Sequence, residues 1–145
     1  MAQATYNAHG IRFEYSVGWT LEEVEDGPRM TVTATAEDGL GFAFVALDTT
    51  PGIDPDALAQ EALDALREEY PTLRSQPATS EIDGQASVGH AIEFDSLDIP
   101  NECVIHCRVT PNRAILYFAQ WSTLADGDQR ESDLALIQNT LQETG

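Results

Sequence analysis

Ala114-Ile115-Leu116-Tyr117-Phe118-Ala119-Gln120-Trp121-Ser122 is the stretch on which the fold turns. Side chains alternate across a strand, so Leu116 and Phe118 share one side while Ile115, Tyr117, Ala119 and Trp121 share the other. Both sides are apolar. A strand of that kind is central in its sheet and covered on both faces, because an open face would carry polar residues.

The neighbouring sequence supplies partners for it. Residues 86–97 and 102–110 read as two further strands, with breaks at Ile99-Pro100-Asn101 and at Pro111-Asn112, so the three form an antiparallel meander. Pairing Thr110 with Arg113 sets Cys107 opposite Leu116 and Ile105 opposite Phe118. Pairing Ile99 with Glu102 sets Glu93 opposite Arg108 and Phe94 opposite Cys107, and segregates polar from apolar residues. Under that register Asp95, His106 and Tyr117 line up across the three strands on the second face.

Upstream, residues 9–15 alternate, with Ile11, Phe13 and Tyr15 on one side. Val17-Gly18-Trp19 turns the chain, and residues 20–24 are expected to return beside that first strand. Residues 30–36 and 40–47 flank Asp38-Gly39, the signal for a two-residue type I′ hairpin. Val32 then faces Val45 and Thr33 faces Phe44. Met30, Val32, Val45 and Leu47 lie on one side and Phe42 and Phe44 join the threonines on the other, so neither side is fully polar. Residues 73–82 are a weaker strand, ended by Asp83-Gly84.

Two helices can cover the sheet. Asp54 can cap the first and Pro55 suits its first position, while Tyr70 precedes Pro71 and is pushed out of the helical region. Leu58, Ala62, Leu63, Leu66 and Tyr70 form its apolar stripe. Residues 128–142 form the second, with Leu134, Ile137 and Leu141 in a stripe. The expected architecture is one domain over residues 1–145, an α/β (α+β) three-layer α/β/α sandwich with a central antiparallel sheet of about six strands and one main helix on each side.

These elements in this order, together with Gly10-Ile11-Arg12-Phe13-Glu14-Tyr15-Ser16-Val17-Gly18-Trp19 and Ile82-Asp83-Gly84-Gln85-Ala86, resemble the PsbP-like fold. Ser16 stands where such chains usually carry a proline. The group also includes the small Ran-binding nuclear-import factor, the DcrB-type proteins and the chaperones that escort type VI secretion effectors. The resemblance spans nearly the whole chain and implies a binding or escort protein, since those members work mostly by contact rather than catalysis.

Seven arginines and no lysine face 25 aspartates and glutamates, for a net charge of −18 over 145 residues. Such a molecule repels nucleic acid and anionic lipid, whose binding requires basic side chains. The missing lysine removes Schiff-base chemistry and any P-loop lysine, and Gly39-Leu40-Gly41 lacks the strand-to-helix setting of a phosphate loop. The acidity fits either a high-salt cytoplasm or a basic partner. No basic and apolar leader opens the sequence and no run of ~18 apolar residues occurs, so neither a signal peptide nor a membrane span is expected.

Cys103 and Cys107 are four apart on one strand face, about 13 Å between Cα atoms at ~3.3 Å per residue, which is beyond disulfide reach. They read as buried thiols of a reducing compartment. His90, His106 and the two cysteines have no zinc-ligand spacing. The Asp48 to Asp56 loop, or Asp126 with Asp128, offers carboxylates but not a regular calcium loop. No metal and no cofactor are expected.

The composite expectation is a cytoplasmic, non-enzymatic module, monomer or weak dimer, that binds another protein and neither nucleic acid nor membrane. Trp19, Ile115, Tyr117 and Trp121 are the expected anchors if the sheet is incompletely covered. The alternative is a small-molecule or metal-binding protein, or a minor enzyme, using the Asp95/His106/Tyr117 face, where a carboxylate could orient an imidazole for proton transfer.

Overall fold

The computed structural model describes residues 3–124 and 127–144. Ten strands and two helices follow in the order β1 (Gln3–Ala8), β2 (Ile11–Ser16), β3 (Thr20–Asp26), β4 (Arg29–Thr35), β5 (Gly41–Asp48), α1 (Pro55–Glu69), β6 (Arg74–Ile82), β7 (Gln85–Ser96), β8 (Ile99–Val109), β9 (Ala114–Ser122), α2 (Gly127–Thr140) and β10 (Gln142–Glu143). Seven strands make one antiparallel sheet in the order β3-β4-β5-β9-β8-β7-β6, and β1-β2-β10 make a small second sheet. The fold is α+β, and β9 lies in the middle of the large sheet as its two apolar sides require.

The two sides of that sheet are covered differently. On one side α1 packs along β7 and β8, with a lighter edge on β9. Its Ala59, Leu63 and Leu66 meet Ile92, Phe94, Cys103, Ile105, Cys107, Leu116 and Phe118, and the Tyr70 ring stacks on Phe94 at 4.0 Å. The other side is covered by the small sheet together with α2. Tyr6, Ile11 and Phe13 join Leu134, Ile137 and Leu141 in one cluster with Val32, Val45, Ile115, Tyr117 and Trp121. The expectation of a single helix there is corrected: α2 packs chiefly on β2, and both elements close the core.

Several local features follow from single residues. The Asp54 carboxylate accepts from Ala57 N at 3.0 Å, Pro55 opens α1, and the Tyr70 N–H closes it on Leu66 O. The β4–β5 register is the expected one, Val32 opposite Val45. Its turn is not type I′, however. Asp38 keeps a negative φ, only Gly39 is left-handed at +72°, and the closing bond is Ala36 N to Gly41 O, so four residues make the loop. Two-residue turns with two positive φ angles occur instead at His9-Gly10, at Asp83-Gly84 (φ +53° and +73°) and at Leu97-Asp98.

Three strand assignments also change. β1 is a strand that its short, mostly polar alternation hides; only Tyr6 of it is buried. β3 does not return beside β2 but pairs with β4, because both edges of β2 are occupied by β1 and β10. The β7–β8 turn lies at Leu97-Asp98, φ +54° and +64°, not at Ile99-Pro100-Asn101. Ser96 and Ile99 close that turn, which aims the nitrogen of Pro100 away from β7, so the proline costs no ladder bond there. The true register is shifted by six residues from the expected one, an even number, so every side chain keeps its face. The β8–β9 register is as expected, with Cys107 opposite Leu116 and His106 opposite Tyr117.

Helix α2 ends two residues early, and Thr140 explains the change of direction. Its Oγ1 donates to Leu136 O at 2.6 Å and accepts from Glu14 N at 2.8 Å, tying the helix end to β2, after which Gln142 and Glu143 extend the small sheet.

Both cysteines are free and buried under α1. Burial pushes the Cys103 thiol up and the Cys107 thiol up to about 12. Because the thiolate is the reactive form, neither should react with dithionitrobenzoate within minutes at pH 8 in the native state, and two should react after denaturation. One fast native thiol would place a cysteine outside the core.

Candidate functional site

The expected polar row does not assemble. Asp95 lies opposite Pro100 and is exposed, whereas His106 lies opposite Gly89 on β7 and Tyr117 on β9. The expected Glu93–Arg108 pair is likewise replaced. Glu93 meets Arg74 at 3.4 Å, while Arg108 approaches Asp83 and donates to Ile82 O.

His106 and Tyr117 do come together, with ring centroids 6.4 Å apart and nearly parallel planes, but inside the core. The Tyr117 hydroxyl donates to Leu134 O at 2.8 Å and its burial raises its pKa. The His106 Nδ1 has no partner, and desolvation lowers the pKa of the imidazole below its ordinary 6.5. A neutral histidine sealed from solvent beside a phenol with a structural bond has no access to a substrate. It does couple folding to pH. The unfolded chain takes up the proton near pH 6.5 while the folded chain does so only at lower pH. Stability from this residue is therefore complete above about pH 6.5 and declines as pH falls below it. His106→Phe should remove the effect, so the stability gap between wild type and variant should narrow in the variant's favour from pH 7.5 to 5.5 in urea titrations. A gap independent of pH would show that His106 is not sealed in.

The expected anchors are also placed inside. Ile115 and Tyr117 are 1% exposed and Trp121 is 9% exposed, all beneath the small sheet and α2. Trp19 is half-buried at the β2–β3 turn, with the Arg130 guanidinium 5.4 Å from its ring and Arg130 itself bonded to Asp38 at 2.6 Å. That arrangement is a clasp between α2 and two turns.

The incompletely covered side is the opposite one. A helix with side chains is ~10 Å across and strands are ~4.8 Å apart, so one helix covers about two strands of seven. With α1 over β7 and β8, the strip over β5, β4 and β3 is left open. It presents Phe42, Phe44 and Ala46 from β5, Thr31, Thr33 and Thr35 from β4, and Val24, 57% exposed, from β3. Phe44 and Phe42 stack on Phe118 at 4.8 and 5.8 Å and continue the core outward as a half-buried aromatic shelf. Where the shelf meets α1, a cavity of about 230 Å³ opens between Phe44, Ala46, Leu116 and the Leu58, Ala62 and Ala65 side of the helix. Its rim carries Glu61, Arg29 and Asp48, and Arg29 is bound to Asp48 at 3.0 Å.

The signal for this shelf was in the sequence. Phe42 and Phe44 sit on the threonine side of the β4–β5 hairpin, where a solvent-facing side would be polar. What periodicity could not give was the position of α1 across the sheet, which decides which strands it leaves open.

Among the described residues no three His, Cys, Asp or Glu side chains converge as metal ligands. In the Asp48 to Asp56 loop the carboxylates have structural partners: Asp48 takes Arg29 and the Thr50 N–H, and Asp54 caps α1. Asp126 lies outside the described residues, as does the side chain of Asp128. Among the described residues no helix is long and apolar enough to cross a membrane.

No family profile matches the chain, and no curated protein sequence matches it. Solved structures do. LpqN of Mycobacterium tuberculosis, described as involved in cell envelope biogenesis, superposes with a TM-score of 0.64 over 99% of this chain and 91% of its own, at 13% identity. Cyanobacterial PsbP (CyanoP) from Synechocystis gives 0.62 over 97% of this chain and 92% of its own, at 11% identity. A Bacteroides thetaiotaomicron protein gives 0.57 at 11% identity over 94% of this chain but 46% of its own, so the chain spans about half the length of that protein. The chain has the PsbP-like fold, as its opening residues 10–19 implied.

Proposed function

We propose that this protein is a non-enzymatic binding module that holds a segment of another protein on the open strip between α1 and β3. The observation that carries the reading is the aromatic shelf of Phe42 and Phe44, left half-buried beside a cavity lined mostly by leucine and alanine, with Thr31, Arg29, Asp48 and Glu61 among its polar residues. A half-buried aromatic and aliphatic strip on a chain of net charge −18 is kept in water against the hydrophobic effect, which supports reading it as a contact surface. The buried free thiols fit a reducing compartment, and the reading places the protein in the cytoplasm.

Phe44→Ser tests it. Phe44 leans on the core from outside, so the variant should fold, with a loss of about 1–2 kcal/mol from truncating a half-buried ring. A partner captured in stoichiometric amount by the tagged wild-type protein from its native lysate should be lost by the variant. Retention of that partner by folded Phe44→Ser would move the binding surface elsewhere.

A further inference from the structure

We propose that the segment held on the strip is an amphipathic α-helix flanked by lysine or arginine; this rests on the binding-module reading above. A sheet face offers side chains only, because its backbone donors and acceptors are spent in the ladder. A segment buried on that face must satisfy its own backbone polar groups, and a helix does so by itself.

The dimensions agree. From β9 to β3 is three strand spacings, roughly 14 Å, enough for one helix lying beside α1 at the usual 8–10 Å between axes. Strand β5 is 8 residues, ~26 Å, the length of a helix of about 17 residues. The wall that α1 offers is low: Ala62 and Ala65 flank Leu58 there and let a second helix approach closely.

Charge selects the flanks. Register places Glu22 and Asp26 of β3 on this face, on either side of Val24, and Glu61 stands on the opposite wall. The cation on the rim, Arg29, is already held by Asp48. A helix entering here meets carboxylates along both sides, so basic residues at its flanks are attracted and acidic ones repelled. The same charges oppose a second copy of the chain, which would bring −18 against −18. They also oppose anionic lipid.

The test uses the full chain and three fluorescent 18-residue peptides read by anisotropy at 0.15 and 0.5 M salt. One carries leucine at i, i+3, i+4 and i+7 with lysine elsewhere, the second has the same composition scrambled, and the third replaces each lysine by glutamate. The expected result is at least tenfold tighter binding of the leucine/lysine helix than of either control, retained in part at 0.5 M salt. Thr33→Arg, an exposed-side change that leaves the core untouched, should cut that affinity at least tenfold, and Phe44→Ser should do the same.

Equal binding of the scrambled peptide, unaffected by either variant, overturns the proposal and leaves only non-specific attraction to an acidic surface. Equal binding of the glutamate helix, lost in Thr33→Arg, overturns the charge assignment while the binding-module reading stands. Failure of all three peptides, when native capture still depends on Phe44, overturns the helical ligand while the binding-module reading stands. A dimer in sedimentation that Thr33→Arg disperses overturns it in favour of a second copy.

Discussion

Replacing Tyr117 with alanine lowers the free energy of unfolding by about 4 kcal/mol, the middle of the range for truncating a fully buried aromatic ring. The ring is 1% exposed, lies between Val45 and His106 on adjacent strands, and belongs to the cluster that joins the large sheet to the small one. Its hydroxyl donates to Leu134 O, so truncation also leaves a helix carbonyl without that partner inside the core. With an m-value of about 2 kcal/mol/M, the urea midpoint should fall by about 2 M. Tyr117→Phe keeps the ring and should cost only about 1 kcal/mol. A loss below about 1 kcal/mol for the alanine variant would contradict the burial described above and return Tyr117 to the surface.

Gly89→Ala is expected to be nearly as damaging although it adds one methyl group. Gly89 lies opposite His106 on β8, and a Cβ there would collide with the backbone carbonyl oxygen of Ile105 and sit 3.1 Å from the His106 Cα. Backbone cannot rotate aside as a side chain can, so the two strands must part. About 3 kcal/mol is the upper end of ordinary overpacking, and for a chain of this size it lowers Tm by roughly 6–12 °C. Gly27→Ala is the control, because a Cβ there meets nothing within 4 Å and carries only the cost of its left-handed φ of +62°. Equal losses for the two would remove the collision as the cause.

Both residues lie where the sequence was most and least legible. Tyr117 could be placed opposite His106 from pattern alone, because a short Pro-Asn turn and continuous apolar faces leave one workable register for β8 and β9. Helix α1 was equally plain, since Asp54, Pro55 and the Tyr70-Pro71 pair mark its ends chemically. The β7–β8 register was missed because Pro100 reads as a break, yet here its nitrogen faces away from β7 and the turn is made by Leu97-Asp98, a pair without glycine or asparagine. That shift put Gly89, not Asp95, beside His106 and dissolved the expected acid–base row.

The candidate site shows a different limit. Which side chains share a face follows from alternation, and Phe42 and Phe44 were correctly set with the threonines. Which face is left open depends on how two helices and a small sheet divide seven strands, a property of packing between distant segments. Strand β10, two residues long, and the Thr140 bond to β2 bring the small sheet over Ile115, Tyr117 and Trp121. No local pattern announces either feature, so the expected patch was assigned to the closed side.

The most direct test of the open strip is site-specific photo-crosslinking. A benzophenone-bearing amino acid is placed at Phe44, and separately at Val17, which is 57% exposed in the β2–β3 turn and distant in sequence from the strip. Irradiation in the native lysate should give one discrete adduct from position 44 and none from position 17. An adduct from position 17, with position 44 silent in a folded protein, would contradict the assignment of the strip as the binding surface.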